Sequence, residues 1–253
     1  MKLVVLGSGT SVPHPRRAAS AFWLETASGT ILLDAGADAA HRLAAENLPW
    51  AELDAIWISH FHLDHIGGLA PFLFGTKYAP QTQTRRKPLT ITGPRGLGHV
   101  IESFDAAYDY GLLTQPFPVE VREVAAEEEF EILPRVTATT LSTPHTDESL
   151  ALRLAGAHTF VYTADTGRHE PLTSFARDAD FLITEASFRH TSPVPTHLTL
   201  AEALDVATQA NARCTMLTHF YPEWDTLDVE GEARTLSNIV VLEARDGRRT
   251  GVT

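Results

Sequence analysis

Three histidines and an aspartate fall within six residues of one another: His60, His62, Asp64 and His65, in the run Ser59-His60-Phe61-His62-Leu63-Asp64-His65-Ile66-Gly67-Gly68. A short apolar, partly β-branched run ends at Ser59, and the chain then turns toward a stretch with helical character. His60 and His62 are two apart, so an extended or turning backbone projects both to one side. Asp64 and His65, just beyond, can reach a second position close by. Imidazole and carboxylate together suit zinc, manganese or iron, whereas an all-oxygen set would suit magnesium or calcium. A lone histidine is usually a surface or satisfied core residue. Four such groups this close are different, because burying them unpaired is costly and exposing them does nothing for the fold. The pattern points to metal, and since four ligands seldom complete a two-metal site, the rest of the chain is expected to supply more.

The elements that must position these groups follow from the apolar runs. Residues 2–6 form a strand that ends at Gly7-Ser8-Gly9-Thr10. This turn is not a dinucleotide-binding one: the third glycine would fall at Val12, and Pro13 and Pro15 stand where a helix should begin. His14, Arg16 and Arg17 on the following loop are expected at the surface. Residues 21–25 and 30–34 make a hairpin, 37–47 a helix, and 53–59 the strand that delivers the histidines. Residues 75–88 form a polar loop in which Arg85, Arg86 and Lys87 make a solvated basic cluster. Strand 89–92 and helix 95–107 follow. Short strands come next at 119–124, 130–133, 135–141, 150–155 and 159–163, then helix 170–177 and strand 181–184. Helix 200–211 is capped by Thr199, with Glu202 three residues on. Strands at 213–218 and 238–243 close the chain. Two blocks of strands, each followed by helices, predict a two-sheet core with helices outside.

Three further groups share the placement of the first, each just past an expected strand. His145 lies in Ser142-Thr143-Pro144-His145-Thr146, Asp165 in Tyr162-Thr163-Ala164-Asp165-Thr166-Gly167, and His219 in Leu217-Thr218-His219-Phe220. Loops at strand ends, held by a rigid sheet, are where catalytic residues gather. Singly, each has an ordinary alternative as a turn histidine, an Asx-turn aspartate or a capping histidine. Together they supply the missing ligands.

The 253 residues fit one large domain spanning 1–253, with no linker, repeat or low-complexity tract. Net charge is −12 and the sequence pI near 5.4, which argues against broad nucleic-acid binding. A small phosphorylated substrate stays compatible, because bound metal ions supply local positive charge. No apolar run approaches a membrane span, and the first ten residues have the features of neither a signal nor a transit peptide, so a cytoplasmic location is expected. Cys214 is the only cysteine; an internal disulfide and a cysteine-built zinc ribbon are excluded, and a buried thiol is expected.

In this order, His60-Phe61-His62-Leu63-Asp64-His65, His145, Asp165 and His219 resemble the metallo-β-lactamase superfamily, from the opening Leu6-Gly7-Ser8-Gly9-Thr10 to the closing Arg245-Asp246-Gly247. Within it the chain looks most like the ribonuclease Z branch and related small phosphodiesterases. The motifs that carry this are Leu33-Asp34-Ala35-Gly36, Tyr162-Thr163-Ala164-Asp165-Thr166, Thr184-Glu185-Ala186-Ser187, and His197-Leu198-Thr199 followed by Ala201-Glu202-Ala203. The resemblance implies an α/β fold, a four-layer αββα sandwich with the site at one edge of the two sheets. It implies two divalent ions, zinc first, with manganese or iron as alternatives. His60, His62 and His145 would hold one, Asp64, His65 and His219 the other, and Asp165 would bridge them.

The same resemblance gives His197 contact with the scissile phosphate and protonation of the leaving oxygen, and gives Glu185 the orientation of His197. A bridging hydroxide would attack phosphorus, and Asp64 could accept its proton. On the residues alone, His197 has a second reading as a helix-capping residue beside Thr199. Tyr221 and Trp224 either wall the pocket or pack in the ordinary way. Two departures stand out. Thr184 occupies the place where ribonuclease Z usually has histidine, and the long Gly/Pro-rich arm that grips transfer RNA has no counterpart, residues 75–88 being too short and polar. The expected activity is hydrolysis of a small phosphodiester or nucleotide. Hydrolysis of a lactone or thioester on the same two-metal site, and 3′ transfer-RNA processing, are the alternatives. The expected partner is that small substrate, without stable nucleic-acid binding or a membrane, and a homodimer is open.

Overall fold

The structure, a computed structural model, describes residues 1–252. β1 (Lys2–Gly7), β2 (Ala21–Thr26), β3 (Gly29–Leu33), β4 (Ala55–Trp57), β5 (Leu89–Pro94) and β6 (Val119–Val124) belong to a first sheet. β7 (Glu129–Leu133), β8 (Val136–Ser142), β9 (Leu150–Ala155), β10 (Thr159–Tyr162), β11 (Phe181–Glu185), β12 (Thr215–Thr218) and β13 (Val241–Glu243) form a second, and β14 (Arg249–Gly251) returns to the first sheet beside β1. The sheet orders are β14-β1-β2-β3-β4-β5-β6 and β13-β12-β11-β10-β9-β8-β7. Each sheet is half antiparallel and half parallel.

Period-two alternation decides which face meets which layer. In β1 through β4, Leu3, Val5, Phe22, Leu24, Ile31, Leu33 and Trp57 point between the sheets and pack with Phe160, Tyr162, Phe181 and Ile183 of the second sheet. Their neighbours Val4, Leu6, Trp23, Leu32 and Ile56 face outward. The outward face of the first sheet is covered by α1 (Ala39–Ala45), α3 (Leu69–Tyr78) and α4 (Leu97–Ala106), which follow the short α2 (Leu63–Ile66) and contribute Leu43, Leu73 and Ile101. The second sheet's outer face is covered by α5 (Glu170–Phe175) and α6 (Leu200–Gln209), with α7 (Val229–Leu236) against β13. Each large apolar side chain fully buried this way stabilises the fold by roughly 1.5–3 kcal/mol. The architecture is the expected αββα sandwich. Among the described residues no helix is long and apolar enough to cross a membrane.

Topology places the site. β10, β11 and β12 are mutually parallel, and β8 runs the same way because two antiparallel steps separate it from β10. Their carboxyl ends therefore share one edge, and Asp165, Glu185, His219 and His145 sit at or just past those ends. The β4 edge of the first sheet joins there, with the Leu150 amide donating to the Ser59 carbonyl across the sheets (3.0 Å).

Several expectations change, the closing strand among them: β14 follows the one expected to be last. Residues 75–78 complete α3 rather than begin a loop. Arg85 is buried, not solvated: its guanidinium donates to the carbonyls of Ala51, Leu53, Lys87 and Pro88 and lies 4.4 Å from the Phe117 ring centroid. Arg17 and His14 are likewise drawn in, Arg17 2.8 Å from the buried Glu243 and His14 Nε2 2.6 Å from Asp225 Oδ2, while Arg16 stays exposed. Cys214 is half-buried rather than buried, and burial raises its thiol pKa.

Candidate metal centre

The histidine run is shaped by a sharp exit from β4. His62 keeps an extended backbone (φ −63°, ψ 145°) and its carbonyl accepts from the amides of His65 and Ile66, so α2 begins at once and carries Asp64 and His65 on its first turn. Close packing of this turn needs small residues. A Cβ on Gly68 would lie 2.1 Å from the Gly36 carbonyl oxygen, and one on Gly36 would lie 2.6 Å from that of Asp64. The other strand ends turn through left-handed backbone at Asp34 (φ 56°), Ala164 (φ 51°) and His219 (φ 60°). Such conformations are costly for residues other than glycine and concentrate where geometry serves a site.

The ligand-capable atoms gather in four overlapping groups, two of which include His197, once with His145 and Asp165 and once with Glu185 and His219. Those of His60, His62 and His145 lie within 4.8 Å of one another, and so do those of Asp64, His65, Asp165 and His219. Asp165 touches both: its Oδ2 is 3.2 Å from His219 Nε2, 3.6 Å from His145 Nε2 and 3.9 Å from His60 Nε2, while its Oδ1 is 3.3 Å from His65 Nε2. Asp64 Oδ2 is 3.3 Å from His219 Nε2. The seven sequence-derived residues are thus brought together, with Asp165 between His60, His62 and His145 on one side and Asp64, His65 and His219 on the other.

These residues fit a pair of cations. His60 Nε2 and His65 Nε2 are buried without a hydrogen-bond partner, the state an imidazole nitrogen has when a metal is its partner. Opposite ring nitrogens are held. His60 Nδ1 is 3.0 Å from Ser59 Oγ, His65 Nδ1 is 2.7 Å from Asp34 Oδ2, and His145 Nδ1 is 3.1 Å from the Thr196 carbonyl. A histidine fixed by a carboxylate or carbonyl on one nitrogen presents the other to a metal in a defined direction.

The electrostatics agree. Burial and the neighbouring His65 keep His60 well below the ordinary imidazole value, as an unprotonated ligand requires. Burial also disfavours the charged form of His65, but Asp165 and Asp34 outweigh it and hold that ring well above its ordinary value. Asp165, raised by burial, is carried well below the carboxylate range by His219 and His65. The cluster is built around positive charge.

Beside these seven residues lies His197. Its ring stacks near His219 (centroids 5.3 Å, 16°) and meets His145 edge-on at 4.8 Å. Its Nδ1 is 3.0 Å from Glu185 Oε1. Burial lowers the His197 pKa, and the Glu185 hydrogen bond and charge more than offset that, leaving it raised. Glu185 also accepts from the amides of Thr166 (2.7 Å) and Leu198 (3.1 Å). The cap of α6 belongs to Thr199, whose side chain and Glu202 form the reciprocal capping box, so His197 is not the capping residue. His197 lines a cavity of about 660 Å³ with Arg168, His190 and Thr199. Tyr221 faces His197 edge-on at 6.4 Å and stacks on Phe188. Trp224 is fully buried packing, its indole donating to the Ser187 carbonyl.

Asp34, Tyr162 and Ser187 complete the support; the sequence places them in the motifs that carry the resemblance but assigns their side chains no role. Asp34 accepts from the Ser59 amide and hydroxyl and from the Tyr162 hydroxyl, besides holding His65. The available signal was a carboxylate ending a fully apolar strand, Ile31-Leu32-Leu33-Asp34, which has no reason to be buried unless it is paired.

The fold and this site define a metallo-β-lactamase-superfamily protein of the ribonuclease Z-like branch. The chain is 29% identical to the probable metallo-hydrolase YhfI of Bacillus subtilis over 251 residues, covering 98% of each. It is 27% identical to a ribonuclease Z of Ignicoccus hospitalis, over 89% of this chain and 90% of that one. The crystal structure of YhfI superposes with a TM-score of 0.81 at 26% identity, over 98% of both chains. That of the short form of human tRNase Z gives 0.78 at 21% over all of both, a likeness of fold. The family model described as Anti-Pycsar protein Apyc1 matches residues 1–239. The chain belongs to that family.

Proposed function

We propose that this metal-dependent hydrolase is a two-metal phosphodiesterase acting on a small phosphodiester or nucleotide. The observation that carries the reading is His197: a raised imidazole, held by a buried carboxylate, beside both ligand groups and facing a cavity. Phosphodiester cleavage expels an alkoxide, which needs a proton at that place, whereas a thioester expels a thiolate that departs without one. Two divalent ions, zinc first and manganese or iron as alternatives, supply a water acidic enough to attack at neutral pH and positive charge for the phosphoryl oxygens. His60, His62 and His145 would hold one ion and Asp64, His65 and His219 the other, with Asp165 shared. Asp64, whose Oδ2 lies 3.3 Å from His219 Nε2, would take the nucleophile's proton. His197 donates from Nε2 while Glu185 keeps Nδ1 protonated. The acidic chain and the short helical segment in place of an RNA-gripping arm support a small substrate over a transfer-RNA precursor.

The test compares wild type with His197→Ala on cyclic nucleotides, linear diesters, transfer-RNA precursors, bis(p-nitrophenyl) phosphate and a lactone panel. A general acid is worth about 10²–10⁴-fold. That loss is expected with nucleoside leaving groups, and much less with p-nitrophenolate, which departs without help. Strong lactone turnover with no diester cleavage would overturn the reading.

A further inference from the structure

Ser187 joins the two halves of the catalytic apparatus. Its backbone follows β11, and its side chain is fully buried beside Glu185. The hydroxyl donates to Glu185 Oε2, and a carboxylate can only accept, so its single proton is committed there. The same oxygen lies 2.9 Å from His219 Nδ1. It must accept from that nitrogen, so His219 carries a hydrogen on Nδ1 and turns Nε2 toward Asp64 and Asp165, where a bound cation would replace the hydrogen that Nε2 otherwise gives their carboxylates. His197 Nδ1 is farther from the hydroxyl, at 3.4 Å, and nearer Glu185 Oε1, at 3.0 Å. One carboxylate thus holds the leaving-group acid directly and a ligand histidine through one hydroxyl.

We infer that Ser187 is a positioning residue that fixes the metal-binding tautomer of His219 and couples it, through Glu185, to the orientation of His197. The inference rests on the two-metal reading above for its consequence, though not for the tautomer itself. Glu185 then does more than orient His197: it anchors two imidazoles whose rings stack at 5.3 Å, so metal retention and proton delivery share one support. Second supports of this kind typically change metal affinity by about 10–100-fold.

The experiment has two arms. Nitrogen-15 NMR of the imidazoles in chelator-treated protein reads the His219 tautomer: wild type and Ser187→Thr, which keeps the hydroxyl, are expected to show hydrogen on Nδ1, and Ser187→Ala a mixture. Zinc titration by calorimetry reads the consequence: in Ser187→Ala one binding event weakens by about 10–100-fold while the other holds, and Ser187→Thr restores it. An unchanged His219 tautomer in Ser187→Ala, or equal weakening of both events alongside a lowered melting temperature, would overturn the inference. Wild-type protein that takes up no pair of ions would instead overturn the two-metal reading, and the tautomer arm would still decide the role of Ser187.

Discussion

Asp64, His65, Asp165 and His219 are all buried, whereas in the other group only His60 is, with His62 exposed and His145 partly so. The buried group holds both carboxylates and has its histidines tied from behind: His65 by Asp34, and His219 by Ser187 and Glu185. The outer group has no carboxylate but the shared Asp165. His145 leans on a backbone carbonyl, and His62 Nδ1 has only His145 Nε2 at 3.0 Å. On the two-metal reading, negative charge and fixed ring direction both strengthen cation binding, so the inner position should be the tight one and the outer position the exchangeable one.

The severest challenge to that contrast is Asp165→Asn, which keeps the shape and removes the shared charge. Both positions should lose affinity together, and activity should fall by about three orders of magnitude, the equivalent of several kcal/mol of charge stabilisation at the phosphoryl group. Loss confined to one position would show that Asp165 is not shared. Asp34→Asn strikes the inner position alone. One amide oxygen cannot accept from His65, Ser59 and Tyr162 as the carboxylate does. Inner affinity should drop by about 10–100-fold, and the melting temperature by about 2–4 °C for each kcal/mol of unmatched hydrogen bonding. Unequal metal content before and after dialysis checks the first effect and thermal unfolding the second.

The smallest effect is a shift in pH. As the proposed acid, His197 must carry a proton to donate, so its contribution is present below its pKa and lost as pH rises through it. Glu185 raises that value against the pull of burial. Glu185→Gln should therefore move the alkaline limb of the kcat profile to lower pH, measured with a nucleoside leaving group. A limb that does not move would remove His197 from the titration.

Much of the contrast could be read from residue order, because each ligand follows an apolar run and strand ends of one direction share an edge. What surrounds the ligands was harder to see. Asp34 and Ser187 act through contacts between residues 31 and 32 positions apart, and no local pattern announces such pairs. The cap at Thr199 was legible because Thr199 and Glu202 signal it locally. Pro71 and Gly75 obscured α3, although proline is tolerated in a first helical turn. The run Arg85-Arg86-Lys87 looked solvated because its composition does not reveal the four carbonyls that converge on Arg85. The pairing of β14 with β1 joins the chain's two ends and has no sequence period to show it.

The central claim, two metal positions of unequal build meeting at Asp165, is tested most directly by zinc titration of chelator-stripped protein, wild type beside His62→Ala and Asp34→Asn. The account predicts two binding events in the wild type, the weaker lost in His62→Ala and the tighter one weakened in Asp34→Asn. A single event in the wild type, or loss of the tighter event in His62→Ala, would contradict it.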